Sequence, residues 1–340
     1  MPRDKVDKLI AEIGICRAYP QLYVAAILFT YRCTIACRHC CFGCSTSRPD
    51  VVMDPEKCVR YLGDLHELGR VIHIAGGEAM MYWPQLLKAL EIAAEKGVQP
   101  HFIESNCSFA VSDEICRERF GLFRSMGIQG MLFSADPYHQ EHVPPERFIR
   151  ARRIAFEFFG EQNVACSRAS DDEIRALPEI TRDEARLREY ARKHPSMFVG
   201  SAFDRLSRYM DEYPVESLPN GRGWHLEHSG QDCATEFNSQ QIWEIHIDPY
   251  DNAQTNCGVI LGRADETPVA EMVSRGLRDA NFITRILSEG GPLGLARWAA
   301  EMHGFAIPRT AVSKCGLCFL TRRFLRQFYP EILGPAEVYC

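Results

Sequence analysis

Long apolar runs are missing from this 340-residue sequence. The longest, residues 22–30, is far shorter than the roughly 20 residues that cross a bilayer, and the opening MPRDKVDKLIAEIG lacks the apolar core of a signal peptide. Blocks of Lys and Arg interleaved with aromatic residues are also missing, and the net charge is −6. We therefore predict a cytoplasmic globular protein with neither a membrane nor a nucleic-acid partner.

Cysteine, in contrast, is abundant. The chain has 15 cysteines, and five of them fall within TYRCTIACRHCCFGC, residues 30–44. An odd number of cysteines in a long chain without an export signal argues against a secreted disulfide framework. Clustered thiols in a reducing compartment more often bind metal or carry out redox chemistry, and metal binding is our leading interpretation.

The pattern of apolar residues alternates short β-like runs with longer helix-like segments. The predicted strands are 22–31, 71–75, 101–105, 128–134, 163–167 and 197–203. The predicted helices are 54–69, 84–97, 112–127, 145–160 and 181–194. Six βα units joined by right-handed crossovers give an α/β fold, a partial (β/α)6 TIM-like barrel, whose ligands bind at the carboxyl ends of the strands.

A change of composition divides the chain. Residues 214–232 are rich in Gly, Pro and Ser, which is typical of a linker. Beyond it, residues 240–257 read as two strands around a turn at 248–252, followed by helix-like stretches near 268–287 and 292–303. We expect an N-terminal helix or extension at 1–20, the barrel at 21–213, the linker at 214–232 and a smaller domain at 233–340.

Three of the clustered thiols have an informative spacing. Cys33, Cys37 and Cys40 form a C-x3-C-x2-C run in the first predicted βα loop. Structural zinc takes four ligands, and iron–sulfur clusters ordinarily take four cysteines. A cluster held by three cysteines leaves one iron open to a small molecule.

This run resembles the signature of the radical S-adenosylmethionine (radical SAM) superfamily, and a second motif supports the resemblance. Gly76, Gly77 and Glu78 in AGGEAM directly follow the second predicted strand and are similar to the family's GGE motif. The resemblance implies a [4Fe–4S] cluster on the three cysteines, SAM bound to its open iron, and the SAM amine held by the GGE segment. His39 stands where the family usually has an aromatic residue near the adenine.

Other residues are predicted to contact SAM because they lie at the ends of predicted strands. Ser105 and Asn106 end the third predicted strand. The resemblance implies that Ser134 and Arg168, at the ends of the fourth and fifth strands, contact the ribose and the carboxylate of SAM. The alternative is that these polar residues only form turns.

The C-terminal cysteines resemble a twitch domain, the shortened form of the SPASM domain. Its four ligands would be Cys233, Cys257, Cys315 and Cys318, holding one auxiliary [4Fe–4S] cluster. Asn252 replaces the family's turn glycine and tolerates the same left-handed backbone. Cys340 is either a substitute ligand or a flexible terminal thiol.

The other cysteines have several interpretations. Cys58 and Cys116 fall in predicted helices as small core residues. Cys41 and Cys44 are packed thiols, a redox pair or alternative ligands. Cys107 and Cys166, near strand ends, are either structural or donors of hydrogen to a substrate radical.

Two polar segments complete the set of candidates. Asp136, Tyr138 and His139 follow the fourth predicted strand, where they are either structural or bind substrate and move a proton. A second segment reads as a solvated polar edge rather than a metal site, and contains His225, Glu227 and His228.

The resemblance implies a radical SAM enzyme that receives electrons from a donor such as flavodoxin or ferredoxin. Its substrate would be a ribosomal peptide that becomes crosslinked, epimerised or oxidised. The alternative is dehydrogenation or epimerisation of a small natural-product metabolite such as an aminocyclitol. A hypothesis of another class is a noncatalytic iron–sulfur sensor, which would need neither an open iron nor the GGE segment.

Overall fold

The computed structural model describes residues 3–218, 233, 237 and 243–339. The chain divides into two compact units. The first comprises residues 1–37, 45–186 and 246–249, and the second comprises the remainder, including the short segment 38–44. Within the described ranges, no helix combines the length and apolarity that a membrane crossing requires.

The first unit is built on five parallel strands. They are β1 (Val24–Leu28), β2 (Val71–Ala75), β3 (Phe102–Ser105), β4 (Gly130–Phe133) and β5 (Val164–Ala165), in the order β5-β4-β3-β2-β1. β1 and β2 are buried along their whole length, as expected of parallel strands covered by crossover helices. The predicted α/β fold is confirmed at this level.

Helices connect and flank these strands. Before β1 lie α1 (Arg3–Ile13) and α2 (Ile15–Ala18); between the strands lie α3 (Pro55–Glu67), α4 (Trp83–Glu95), α5 (Asp113–Ser125), α6 (Pro137–Gln140) and α7 (Pro145–Phe159); after β5 lie α8 (Asp171–Ala176) and α9 (Pro178–Arg182). Helix α3 begins where the sequence predicts, because the Asp54 side chain accepts a hydrogen bond from the Lys57 backbone N–H. Ser112 caps α5 in the same way, accepting from Ile115 N–H.

The N-terminal helices cover the amino end of the sheet. Val6 and Ile10 of α1 pack in a buried cluster with Val71 and Phe102, the first residues of β2 and β3. His101 adds a hydrogen bond to Asp7, with 3.1 Å between Nε2 and Oδ1. The carboxyl end of the sheet is therefore the end where the loops with polar and thiol side chains lie.

The second unit holds shorter elements. Its helices are α11 (Ser201–Leu206), α12 (Val269–Arg275), α13 (Phe282–His303), α14 (Lys314–Leu325) and α15 (Ala336–Tyr339). Two antiparallel pairs are present, β6 (Tyr213–Pro214) with β10 (Thr310–Ala311), and β8 (Asn252–Thr255) with β9 (Ile260–Arg263). The unit boundary falls within α10 (Glu184–Lys193) and β7 (Glu244–Ile247).

Two expectations about local structure are wrong. Residues 197–203 do not form a sixth strand, because Gly200 adopts a positive φ of 56° and helix α11 begins at the next residue. The left-handed turn residue is Asp251, with φ 67°, rather than Asn252, which is already the first residue of β8. Asp shares with Asn the tolerance for this backbone region.

Candidate functional site

The two predicted motifs meet at the carboxyl ends of β1 and β2. Gly77 N–H donates to the Thr30 carbonyl at 2.7 Å, and Glu78 N–H donates to the Arg32 carbonyl at 3.1 Å. A Cβ on Gly77 would lie 1.9 Å from the Arg32 oxygen, and one on Gly76 would lie 2.6 Å from the Thr30 oxygen. Both glycines are therefore required for the close approach of this segment to the loop that carries Cys33.

Glu78 is the centre of a buried hydrogen-bond network. Its side chain is 1 % exposed and accepts from Asn106 N–H at 2.8 Å and from Met80 N–H at 3.3 Å. The hydroxyl of Ser105 donates to both carboxylate oxygens, at 3.0 and 3.1 Å. Burial raises the pKa of Glu78 to about 7, although these donors partly oppose the shift. With this raised pKa, both the protonated and the ionised form of Glu78 are accessible near neutral pH.

Asn106 joins this network to the first cysteine. Its side-chain Nδ2 donates to Cys33 Sγ at 3.4 Å and to Thr34 Oγ1 at 3.0 Å. A donor placed on a ligating sulfur is the arrangement expected around an iron–sulfur cluster. The residues around Cys33 therefore fit the thiolate ligand that the resemblance implies.

Cys37 is buried in the first unit, whereas Cys40 belongs to the short segment 38–44 of the second unit. Cys44 N–H donates to Cys40 Sγ at 3.3 Å, and the Cys40 carbonyl accepts from Ser201 N–H at 2.9 Å. Hydrogen bonding from Cys44 lowers the pKa of Cys40 to about 6 against the opposing effect of burial. The hydrogen bond from Cys44 thus favours the thiolate form of Cys40, which is the form that binds iron. His39 is half-buried in the same segment.

The loop after β4 forms a short helix with its own cap. Asp136 accepts from the backbone N–H groups of Tyr138 and His139, and its Oδ2 lies 2.7 Å from His139 Nδ1. Tyr138 is 2 % exposed. Ser134 is half-buried, and its N–H donates to the Ser105 carbonyl at 3.2 Å. The structure thus brings Asp136 and His139 together as a pair.

Three other candidates lie in different surroundings. Cys107 is fully buried with a positive φ of 65°, and burial raises the pKa of its thiol well above the usual value. Cys166 is half-buried, and burial raises the pKa of its thiol as well. Arg168 donates to the carbonyls of Glu161 and Val164, at 2.7 and 3.0 Å. Its guanidinium therefore lies beside the amino end of β5, away from Glu78 and Ser105.

A cavity of about 290 Å3 adjoins both motifs of the first unit. Thr34 and Ile35 contribute from the cysteine loop, and Met80 and Met81 contribute from the segment after Glu78. The remaining lining residues are Ser108, Phe109, Arg119, His142, Val143 and Arg147. The cavity thus combines apolar walls with two guanidinium groups.

The described C-terminal cysteines lie in the second unit. Cys315 and Cys318 are in the first turns of α14, whose N-terminus is capped by Ser313 through a hydrogen bond from Gly316 N–H at 3.1 Å. Cys257 follows β8, and its Sγ lies 3.2 Å from Thr255 Oγ1. Burial raises the pKa of the Cys318 thiol. Cys233 is half-buried.

A buried arginine connects two of these cysteines. Arg322 is 0 % exposed, and its Nη2 donates to the Cys257 carbonyl at 2.9 Å while Nη1 donates to the Tyr339 hydroxyl at 2.9 Å. Burial opposes its charge, but Tyr339 and the thiols of Cys318 and Cys257 together raise the pKa of Arg322 above its usual value. A buried cation beside thiols suits an anionic metal–thiolate centre.

Arg322 was missed by the sequence reasoning. Its one signal was its position four residues after Cys318, which places both on the same face of a helix. None of the fourteen described cysteines forms a disulfide bond. Cys340, His225, Glu227 and His228 lie outside the described residues, so the hypotheses made for them stay predictions.

Comparison with known proteins agrees with these motifs. Residues 27–160 match the family model described as the Radical SAM superfamily. The matched residues contain Cys33, Cys37, Cys40 and the GGE segment. No curated protein matches the sequence.

A solved structure titled "Crystal structure of BtrN in complex with AdoMet and 2-DOIA" is similar at 12 % identity, with a TM-score of 0.45. The similarity covers 79 % of this chain and 88 % of that one.

Proposed function

We propose that this protein is a radical SAM enzyme that uses Cys33, Cys37 and Cys40 to hold a [4Fe–4S] cluster. The observation that supports the proposal is the hydrogen-bonded path from Glu78 through Asn106 to Cys33, which links the GGE segment to the cysteine loop. When bound, the reduced cluster supplies the electron that splits SAM into methionine and a 5′-deoxyadenosyl radical, which removes a hydrogen atom from the substrate.

The chain's own residues would bind and orient SAM. Glu78, when ionised, offers a carboxylate to the SAM ammonium, and Ser105 with Asn106 fixes the position of that carboxylate. Asn106 simultaneously donates to the sulfur of Cys33, so that the amine site and the cluster site have a fixed separation. Ser134 and His39 are proposed to contact the ribose and the adenine.

We further propose one auxiliary [4Fe–4S] cluster on Cys233, Cys257, Cys315 and Cys318. The buried charge of Arg322 beside Cys257 and Cys318 supports this assignment. An auxiliary cluster that accepts an electron from the substrate radical would make the net reaction an oxidation. Flavodoxin or ferredoxin would supply the electron for SAM cleavage.

For the substrate we propose a small metabolite, with a ribosomal peptide as the alternative. The cavity beside Thr34 and Met80 has about 290 Å3, close to the lower end of the range for small-molecule sites. Arg119 and Arg147 in its lining suit a polar or anionic group. Asp136 and His139 would then act at the substrate as a hydrogen-bonded pair. If the reaction were instead an epimerisation, with no electron passed to the auxiliary cluster, Cys107 or Cys166 would return a hydrogen atom to the substrate radical.

The decisive test is anaerobic reconstitution with iron and sulfide, followed by dithionite and SAM. We expect about eight irons per chain and formation of 5′-deoxyadenosine even without substrate. The triple variant Cys33→Ala, Cys37→Ala, Cys40→Ala should form none and lose about half of its iron. The matched control is Cys16→Ala, a half-buried thiol outside the motifs, which should behave as the parent.

Full iron loading without any 5′-deoxyadenosine would contradict the enzyme and favour the sensor. The substrate is tested by stimulation of 5′-deoxyadenosine formation above this background. A panel of aminocyclitols and a panel of short peptides are compared under the same conditions. Stimulation by peptides alone would reverse our choice of substrate class.

A further inference from the structure

Among the described residues of the second unit, Arg322 is the most deeply buried charged group, and its surroundings are unusual for an arginine. The side chain has no exposed surface, and its hydrogen-bond acceptors among the described residues are the Cys257 carbonyl, the Tyr339 hydroxyl and the thiol of Cys318. Its Nε is buried without a hydrogen-bond acceptor among the residues that the structure describes. Within the same residues, no carboxylate is among the groups that interact electrostatically with the guanidinium.

A guanidinium without a counter-charge is expensive to bury. Burying an unpaired charge costs several kcal/mol in proteins, which is why buried arginines are normally paired with carboxylates. The groups that interact electrostatically with Arg322 are Tyr339 and the thiols of Cys318 and Cys257. Neutral thiols and a phenol do not compensate a full positive charge, whereas a metal centre bound by thiolates does.

We infer that Arg322 is a positioning residue for the auxiliary cluster, holding the Cys257 segment and supplying the positive charge that stabilises the reduced, more negative cluster. This inference rests on the proposed auxiliary cluster. Positive charge and hydrogen bonds near the sulfurs raise the reduction potential of an iron–sulfur cluster.

The local packing fixes the guanidinium in this role. Tyr339 stacks on Phe319 with 5.4 Å between ring centroids and an interplanar angle of 10°, so its hydroxyl is held in place to accept from Arg322 Nη1. The guanidinium carbon lies 5.6 Å from the centre of the Tyr339 ring. These contacts hold the guanidinium with Nη2 toward the Cys257 carbonyl, and Nε has no acceptor among the described residues.

The test uses the full-length chain with Cys33, Cys37 and Cys40 replaced by alanine, so that iron bound to the auxiliary site is observed alone. In this background we compare the parent with Arg322→Gln and Arg322→Lys. The readouts are iron content, the redox midpoint by electron paramagnetic resonance, and the rate of iron loss to a chelator. Circular dichroism of the metal-free proteins reports folding.

We expect Arg322→Gln to bind about four irons and to lower the midpoint, so that the reduced fraction at a fixed potential falls at least tenfold, equivalent to 59 mV for one electron. Arg322→Lys keeps the charge but not the planar fork, and should shift the reduced fraction by less while losing iron faster than the parent. A purely structural role would change folding and iron content but leave the midpoint of the retained cluster unchanged.

An unchanged midpoint in Arg322→Gln would overturn the inference. If Arg322→Gln fails to fold, Arg322→Lys decides: a midpoint and a rate of iron loss equal to those of the parent would overturn it. If the background chain binds no iron, the proposed auxiliary cluster itself fails. If it binds iron and the arginine variants do not differ from it, only the role of Arg322 fails.

Discussion

The side-chain nitrogen of Asn106 lies 3.4 Å from the sulfur of Cys33, and the same residue's backbone N–H lies 2.8 Å from the Glu78 carboxylate. One residue thus spans the proposed iron ligand and the proposed ligand of the SAM amine. Truncation of the side chain would remove the donor to Cys33 but leave the backbone bond to Glu78. Its effect is therefore separable from that of Glu78.

We predict that Asn106→Ala loosens the first cluster. Outer-shell donors to metal ligands typically change affinity by 10- to 100-fold, so iron at the first site should be released to a chelator roughly tenfold faster. The measurement is made in a chain with Cys257→Ala and Cys318→Ala, which removes the proposed auxiliary iron. Thr34→Val is the matched control, since it removes a neighbour of the Asn106 amide but leaves the donor to Cys33. Equal release rates in Asn106→Ala and the parent would contradict the prediction.

SAM affinity should depend on pH through Glu78. Burial raises the pKa of this carboxyl to about 7, and only its ionised form pairs with the SAM ammonium. The ionised fraction rises about tenfold between pH 6 and pH 8, so the Kd of SAM should fall about tenfold over this range. Isothermal titration under anaerobic conditions measures it. Glu78→Gln should bind SAM more weakly, and its Kd should not change with pH. If the Kd of this variant changed with pH as steeply as that of the parent, Glu78 would be excluded as the titrating group.

The same carboxyl should affect stability in the opposite direction. A carboxyl group that holds its proton more tightly in the folded chain than in the unfolded chain favours folding at low pH. Its contribution is fully present below pH 4.5 and is lost as the pH rises through about 7, amounting to about 3 kcal/mol. We expect SAM-free protein to lose stability between pH 5 and pH 8, and Glu78→Gln to lose less. Denaturant unfolding at several pH values measures the free energy of unfolding of the parent and of Glu78→Gln. If this free energy changed with pH by the same amount in the two proteins, the raised pKa of Glu78 would be contradicted.

Local sequence signals predicted the first unit well. Asp54 with the following Pro55 marked the start of α3, and alternating apolar runs located β1 to β5 within a few residues. Helix caps determine where these helices begin, and burial on both faces of a parallel sheet requires strands that are apolar throughout. Both signals lie within a few neighbouring residues of the sequence. The cysteine motif and the GGE motif could also be recognised from local sequence, since each lies within a single short loop.

Features that depend on distant contacts were not predicted. Residues 197–203 read as a strand by composition, but Gly200 lies against the backbone carbonyls of Cys40 and Cys41 and starts a helix. The side chain of Arg168 donates to backbone carbonyls at the amino end of β5. The position of Arg168 in the sequence, just after the strand, does not reveal this direction. Arg322 reads as a surface residue of a basic helix, because its burial depends on Cys257 and Tyr339, 65 and 17 residues away in sequence.

The last prediction concerns the close approach of Gly77 to the cysteine loop. A methyl group at this position would lie 1.9 Å from the Arg32 carbonyl oxygen, which is backbone and has no rotamer by which to move away. Gly77→Ala must therefore displace the loop that carries Cys33, or the strand end that carries Glu78. We expect a loss of about 3 kcal/mol in the free energy of unfolding, at the upper end for overpacking.

The matched control is Gly63→Ala. Gly63 lies inside helix α3, and a Cβ there would meet no atom within 4 Å. Alanine in a helix interior is more favourable than glycine by about 0.5–1 kcal/mol, so this variant should be more stable than the parent. Urea unfolding of both variants without iron separates the steric effect from cluster binding, since neither requires the metal. Equal stability of Gly77→Ala and the parent would mean that the GGE segment does not pack on the cysteine loop at the distance described, and the link between the two motifs would fail with it.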